Sequence, residues 1–211
     1  MPRFAFRTAL VLAVLLSCTA MSAYALAHAG GDFQSARDFL YPVAGCSPPC
    51  WQGIRPGVTD SLEAIERLRA MPWVTNLYSI QGIVINDSYI SWKWIGSPPD
   101  VVDRKRDGRM WFHNGLVYSI EIPLVIPFSS IWGAFGAPEA ETMLKAPLTP
   151  PQVFYVATYL EGTVAFRSTV ICPPTALNLL AARVDANFGM ARQGNDLPTK
   201  HARPNCENSR R

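Results

Sequence analysis

Histidine is nearly absent: the 211 residues contain only His28, His113 and His201. A Ser-His-Asp or Cys-His arrangement needs an imidazole within reach of its nucleophile, and zinc needs four nitrogen or sulfur ligands at set spacing. His28 adjoins an expected cleavage point, His201 lies in a polar tail, and His113 precedes a turn, where an exposed imidazole is the ordinary finding. The chain also lacks G-x-S-x-G, H-E-x-x-H, Walker and dinucleotide-binding glycine patterns. These gaps argue against the familiar hydrolases, metalloenzymes and nucleotide-dependent enzymes. The expectation is a non-catalytic protein with no cofactor and no metal.

Excess charge of either sign is missing too. Nineteen Lys and Arg against sixteen Asp and Glu give +3, and setting aside Arg3 and Arg7 with an expected leader leaves 17 against 16, or +1. Nucleic acid is therefore not an expected partner, because phosphate binding needs a concentrated basic surface. The run DRKRDGR at residues 103–109 interleaves bases with acids and reads as a solvated loop. Long apolar runs are also lacking. The longest candidate, residues 9–16, is well short of the ~20 residues a bilayer needs.

That run follows Arg3 and Arg7 and precedes SAYALA, with Ala25 and Ala27 at small-residue positions. The layout is that of a secretory signal peptide over residues 1–27. Leu15-Leu16-Ser17-Cys18 also has the form of a lipobox, in which Cys18 would carry the lipid. Cleavage after Ala27 is preferred, since the residues beyond Cys18 stay apolar and small. The expectation is export to the envelope or the medium, with membrane contact only through the signal or a lipid anchor.

An exported chain should oxidise its remaining cysteines, Cys46, Cys50, Cys172 and Cys206. Cys46 and Cys50 are separated by Ser47-Pro48-Pro49, one residue more than a redox C-x-x-C and well ahead of the nearest helix start. The four thiols are thus read as covalent staples. The favoured pairing is Cys50 with Cys172 and Cys46 with Cys206, with a local Cys46–Cys50 bridge as its main competitor.

Leu62, Ile65 and Leu68 then recur at helical spacing, with Thr59 or Asp60 as N-cap, Asp60 and Glu63 spaced as a capping box, and Pro72 as the stop. Strand patterns follow at residues 82–85 and 88–95, and Asn114-Gly115 marks a tight hairpin because both central residues of a type I′ turn need positive φ. A short helix at 128–135, stopped by Gly136 and Pro138, leads to a second hairpin turning near Glu161-Gly162. Helix, stop and hairpin thus occur twice. The expected fold is α+β, with two related helix-plus-antiparallel-hairpin units sharing a sheet and stabilised by disulfides. The expected divisions are an N-terminal segment 28–45, units at 46–126 and 127–174, a C-terminal helix within 175–193 and a flexible tail 194–211.

Cys50-Trp51, Gly53-Ile54, Pro56-Gly57 and Thr59, followed by Leu62-Glu63-Ala64, resemble the PCWxGIxPGxT opening of a family of uncharacterised exported bacterial proteins, often predicted lipoproteins. The wider pattern of Gly57, Thr59, Pro72 and Asn114-Gly115 is similar to small envelope lipoproteins of the SmpA/BamE kind and to the tandem β-lactamase inhibitory protein fold. The chain departs from the SmpA/BamE pattern in its two units, its extra cysteines and one additional residue between Thr59 and Glu63. The resemblance implies a non-catalytic envelope or extracellular protein that binds other proteins.

The aromatic residues carry the remaining signal. Trp92 and Trp94 share a strand phase with Ile90, which favours a core role, and Trp111 lies in the next strand. The sharper expectation places members of the set Trp51, Tyr89, Trp92, Trp94 and Trp111 on a surface, as an interface hot spot or a platform for stacking sugars. Two alternatives to a protein-binding scaffold follow: a glycan-binding module built on those rings, or a carbohydrate-active enzyme using a pair among Glu121, Glu139 and Glu161.

Overall fold

The computed structural model describes residues 33–81, 87–146 and 150–189. The expected signal peptide with Cys18 and His28, the strand expected at 82–85, and the tail with His201 and Cys206 lie outside the described residues. The fold is α+β. Among the described residues, four helices accompany one eight-stranded antiparallel sheet, in chain order α1 (33–40), α2 (Ser61–Ala70), β1 (Val74–Gln81), β2 (Asp87–Trp94), β3 (Gly108–His113), β4 (Leu116–Pro127), α3 (Phe128–Phe135), β5 (Ala140–Ala146), β6 (Gln152–Tyr159), β7 (Val164–Ile171), α4 (Ala176–Ala181) and β8 (Arg183–Gly189). Across the sheet the order is β1-β2-β3-β4-β8-β7-β6-β5.

Local chemistry accounts for most element boundaries. The Asp60 carboxylate accepts the N–H groups of Leu62 and Glu63, fixing the start of α2, which ends at Met71 ahead of Pro72. The expected capping box is replaced by an ion pair one turn along, where Arg67 holds the Glu63 carboxylate at 2.6 Å. The buried row of α2 is Ala64 and Leu68, and Leu62 is 74% exposed. At about 100° per residue Leu62 sits nearly opposite Ala64, so the face chosen by the sheet turns it to solvent. The β3–β4 turn is the expected two-residue hairpin, closing between His113 and Leu116 with Asn114 and Gly115 both at positive φ.

The region expected to be a C-terminal helix forms only α4, six residues capped by Thr175, and then extends as β8. Val184, Ala186 and Phe188 alternate inward along β8, which lies between β4 and β7 and supplies each with a hydrogen-bonding partner. Without it, two central strands would present unpaired backbone groups. The sheet centre is thus built from the last described segment.

All the large buried side chains of the strands point to one face, the face against which Ala36, Phe39 and Leu40 of α1, Ala64 and Leu68 of α2, and Ile131 of α3 also pack. Phe39, Trp51, Trp73, Trp92 and Trp94 form one aromatic cluster, with centroid separations of 5.5–6.1 Å. Phe135, Tyr159 and Phe166 form another, joined by Tyr41 stacked on Phe135. The stretch 33–41 therefore straddles both ends of the core.

The Cys50-to-Thr59 motif is a strap docked on this assembly. Trp51 and Ile54 exchange backbone hydrogen bonds, and the Gly57 N–H donates to the Val117 carbonyl at 2.7 Å while the Val117 N–H donates to Thr59 at 2.9 Å. The cysteines depart from the favoured pairing: Cys46 is bonded to Cys50. The bridge closes so short a loop that the chain-entropy model gives it only about 2 kcal/mol, and it pins the approach to Trp51 rather than clipping the N-terminal segment to a distant strand. Cys172 is also disulfide-bonded.

Candidate functional site

The register from strand to strand defines a second face that no described helix covers. Tyr89, Ser91 and Lys93 of β2 align with Trp111 and Arg109 of β3, then Ser119 and Glu121 of β4, Asn187 and Asp185 of β8, Ala165 and Arg167 of β7, and Thr158 and Val156 of β6. At its centre are two nearly buried carboxylates, with side-chain exposures of 10% for Glu121 and 14% for Asp185. Arg106 grips Asp185 with both terminal nitrogens, the longer bond being 2.9 Å. Arg167 donates to Glu121 at 3.1 Å and approaches Asp185 at 3.5 Å. The bond to Asp185 outweighs partial burial and holds the Arg106 guanidinium above its already high ordinary pKa. Such a network fixes its arginines in place while leaving both about half exposed.

Aromatic groups flank this network. Tyr89 and Trp111, both half-buried, lie 6.2 Å apart with planes tilted by 31°. Tyr78 on β1 is 49% exposed, and on the far side Arg167 lies over the Phe154 ring at 5.9 Å. The face is thus a band of guanidinium groups between aromatic and aliphatic patches.

The structure separates the five aromatic residues expected at a binding surface. Trp51 and Trp92 are fully buried and Trp94 is 7% exposed, with its indole N–H donating to the Arg106 carbonyl inside the fold. These three are core: the strand phase of Trp92 and Trp94 faces the helices, and the strap carries Trp51 onto Trp92. Only Tyr89 and Trp111 lie on the open face. Trp132 of α3, absent from the expected set, is 45% exposed. In an acrylamide titration, Trp111→Phe with Trp132→Phe should remove most of the readily quenched emission. Persistence of that component would place the partly buried Trp73 or one of the three core indoles in solvent.

The structure sets Glu121 apart from the other two expected acids and brings Glu139 and Glu161 to the same turn. Glu121 is held by Arg167 in mid-sheet, whereas Glu139 accepts the Glu161 and Gly162 N–H groups at 3.0 Å each in the β6–β7 turn, and the Glu161 side chain is exposed. A cavity of about 310 Å³ beside that turn is lined by Arg37, Tyr41, Phe135, Glu139 and Tyr159. Burial, and then the nearby Glu141 carboxylate, raise the phenol pKa of Tyr159 and Tyr155, so both stay protonated at neutral pH. Among the described residues no group of three His, Cys, Asp or Glu side chains could hold a metal ion, and no helix is long and apolar enough to cross a membrane.

Sequence reasoning missed the arginine network. Arg106 and Arg109 belong to the run read as a solvated loop, and Asp185 lay in the expected helix. The available signal was the period-two pattern at 184–188, which would have put Asp185 on a strand face. Comparison with protein-family models, with curated proteins and with solved structures finds no match to this chain.

Proposed function

We propose that this chain is an exported, non-catalytic scaffold that binds a protein of the envelope or extracellular space through the open face of its sheet. The observation that carries this reading is the Tyr89–Trp111 pair. The fold hides Trp51, Trp92 and Trp94 in the core yet leaves these two rings on a sheet face, against a fixed arginine network. Large amphipathic rings next to arginine are the side chains that anchor protein interfaces. The Cys46–Cys50 bridge is in keeping with an oxidising compartment. The two halves, a helix with four strands and a helix with three strands, the short α4 and a fourth strand, are joined through the antiparallel β4–β8 pair and are in our reading a repeat that builds one wide surface.

The test is capture from an envelope extract by the wild-type protein and by a Tyr89→Ser, Trp111→Ser variant, followed by identification of what is retained. A protein held by the first and lost from the second is the expected result. Equal retention by both would overturn the assignment to this face. The tilted ring pair also gives the glycan reading one concrete basis, since sugar rings stack on such surfaces. Retention of polysaccharide in place of protein would favour it.

A further inference from the structure

Resting on the open face as a protein-binding surface, we propose that its partner presents an acidic segment, whose carboxylates pair with Arg109 and with the outer N–H groups of Arg106 and Arg167 while an apolar side chain lies on Tyr89 and Trp111.

The charges on this face are unbalanced, although the chain as a whole is nearly neutral. Lys93, Arg109, Arg167 and Arg183 project from it by strand phase, and Arg106 reaches over it from the β2–β3 connection. Opposing them among the described side chains are Glu121 and Asp185 in the middle, with Asp103 of the β2–β3 connection also acting on Arg106. The two central carboxylates are already spent on Arg106 and Arg167 and are close to fully buried. Among the described side chains of this face, the exposed charge is therefore cationic.

Arg109 carries the argument. It faces Glu121 across β3 and β4, the position where a cross-strand ion pair would ordinarily form. Glu121 instead bonds Arg167, and among the described residues no carboxylate lies within ion-pair distance of Arg109, Lys93 or Arg183. Arg109 is exposed, one strand position from Trp111 and next to the Tyr89–Trp111 pair. A planar donor with no carboxylate partner among the described residues, flanked by an aromatic surface and by two further half-exposed guanidinium groups, matches a carboxylate-bearing chain with neighbouring apolar side chains. Because Arg106 and Arg167 are held by internal acids, their outer N–H groups are oriented before the partner arrives, which lowers the ordering cost of binding.

The experiment is a selection of a random peptide display library on the immobilised full chain. Enriched peptides are then measured against the wild type, Arg109→Gln, Arg109→Glu and Trp111→Ala at low and high salt. The expected result is enrichment of peptides rich in Asp and Glu with an apolar residue, bound about tenfold more weakly by Arg109→Gln, more weakly still by Arg109→Glu, and weakened by salt. Arg109→Gln guards against misfolding, because it adds no negative charge opposite Glu121. Neutral or basic peptides that depend on Trp111 would overturn the acidic partner and leave the protein-binding face standing. Heparin or phosphatidylglycerol vesicles, run in parallel, would overturn it in favour of an anionic glycan or membrane if they bind with the same Arg109 dependence while no peptide is enriched. Enrichment of nothing, with no binding to either anionic probe, would overturn both this inference and the reading on which it rests.

Discussion

Trp92→Ala is expected to lower folding stability by about 4 kcal/mol, read as a shift of the urea midpoint with an unchanged slope. The indole is fully buried, stacked on Trp51 at 5.9 Å and edge-on to Trp94 at 5.7 Å, and its Nε1–Cε2–Cζ2 edge occupies the space where Gly108 on the adjoining strand has no side chain. Truncation removes one of the four indoles of the aromatic cluster. The neighbouring rings cannot collapse into the gap, because each is held by its own partners: Trp94 by its bond to the Arg106 carbonyl, and Trp51 by the paired backbone of the strap. The same substitution at half-buried Trp111 should cost about 1 kcal/mol, since its ring lies on the solvent side of the sheet. Similar losses at the two positions would contradict the assignment of one to the core and the other to the open face.

A comparable loss, about 3 kcal/mol or more, is expected from Gly189→Ala at the end of β8. Gly189 has φ of +98°, a conformation that L side chains rarely adopt, and an added Cβ would lie 2.5 Å from the Tyr118 carbonyl oxygen and 2.6 Å from Pro56 Cβ. The carbonyl belongs to the backbone of β4 and the proline to the docked strap, so neither has a flexible end that can swing away. Gly115→Ala separates conformational strain from crowding: Gly115 also has positive φ, but nothing lies within 4 Å of its absent Cβ. That variant should lose only about 1 kcal/mol. If thermal or urea melts of the two variants coincide, the contact between Pro56 and the β4–β8 seam is not what constrains Gly189.

The contact between Pro56 and Gly189 also shows what the PCWxGIxPGxT segment does in the fold. From the sequence its glycines and proline are turn positions that launch a helix, and the Asp60 cap on α2 bears this out. Its second role becomes visible only in the tertiary structure: Trp51 enters the aromatic cluster, Gly57 and Thr59 bond the β4 backbone beside the hairpin, and Pro56 closes over the end of β8. No local pattern marks a residue whose partner is more than 100 positions away.

Determined by the sequence alone were features written in short-range chemistry. Asn114-Gly115 dictated a two-residue hairpin because only such residues accept two successive positive φ angles cheaply, Gly136 stopped α3, and the period-two pattern of Ile90, Trp92 and Trp94 fixed a strand with one apolar face. The tertiary structure decided what depends on distant neighbours. Cys46 pairs with the nearer cysteine because the strap turns back before Trp51, and Leu62 is exposed because the sheet meets the Ala64 and Leu68 side of its helix. The 183–189 stretch extends because β4 and β7 offer it hydrogen bonds on both sides, which outweighs the weak helical preference of so short a segment. That insertion brings Asp185 beside Arg106 and Arg167, so the charged centre of the open face exists only once the two halves of the sheet are joined.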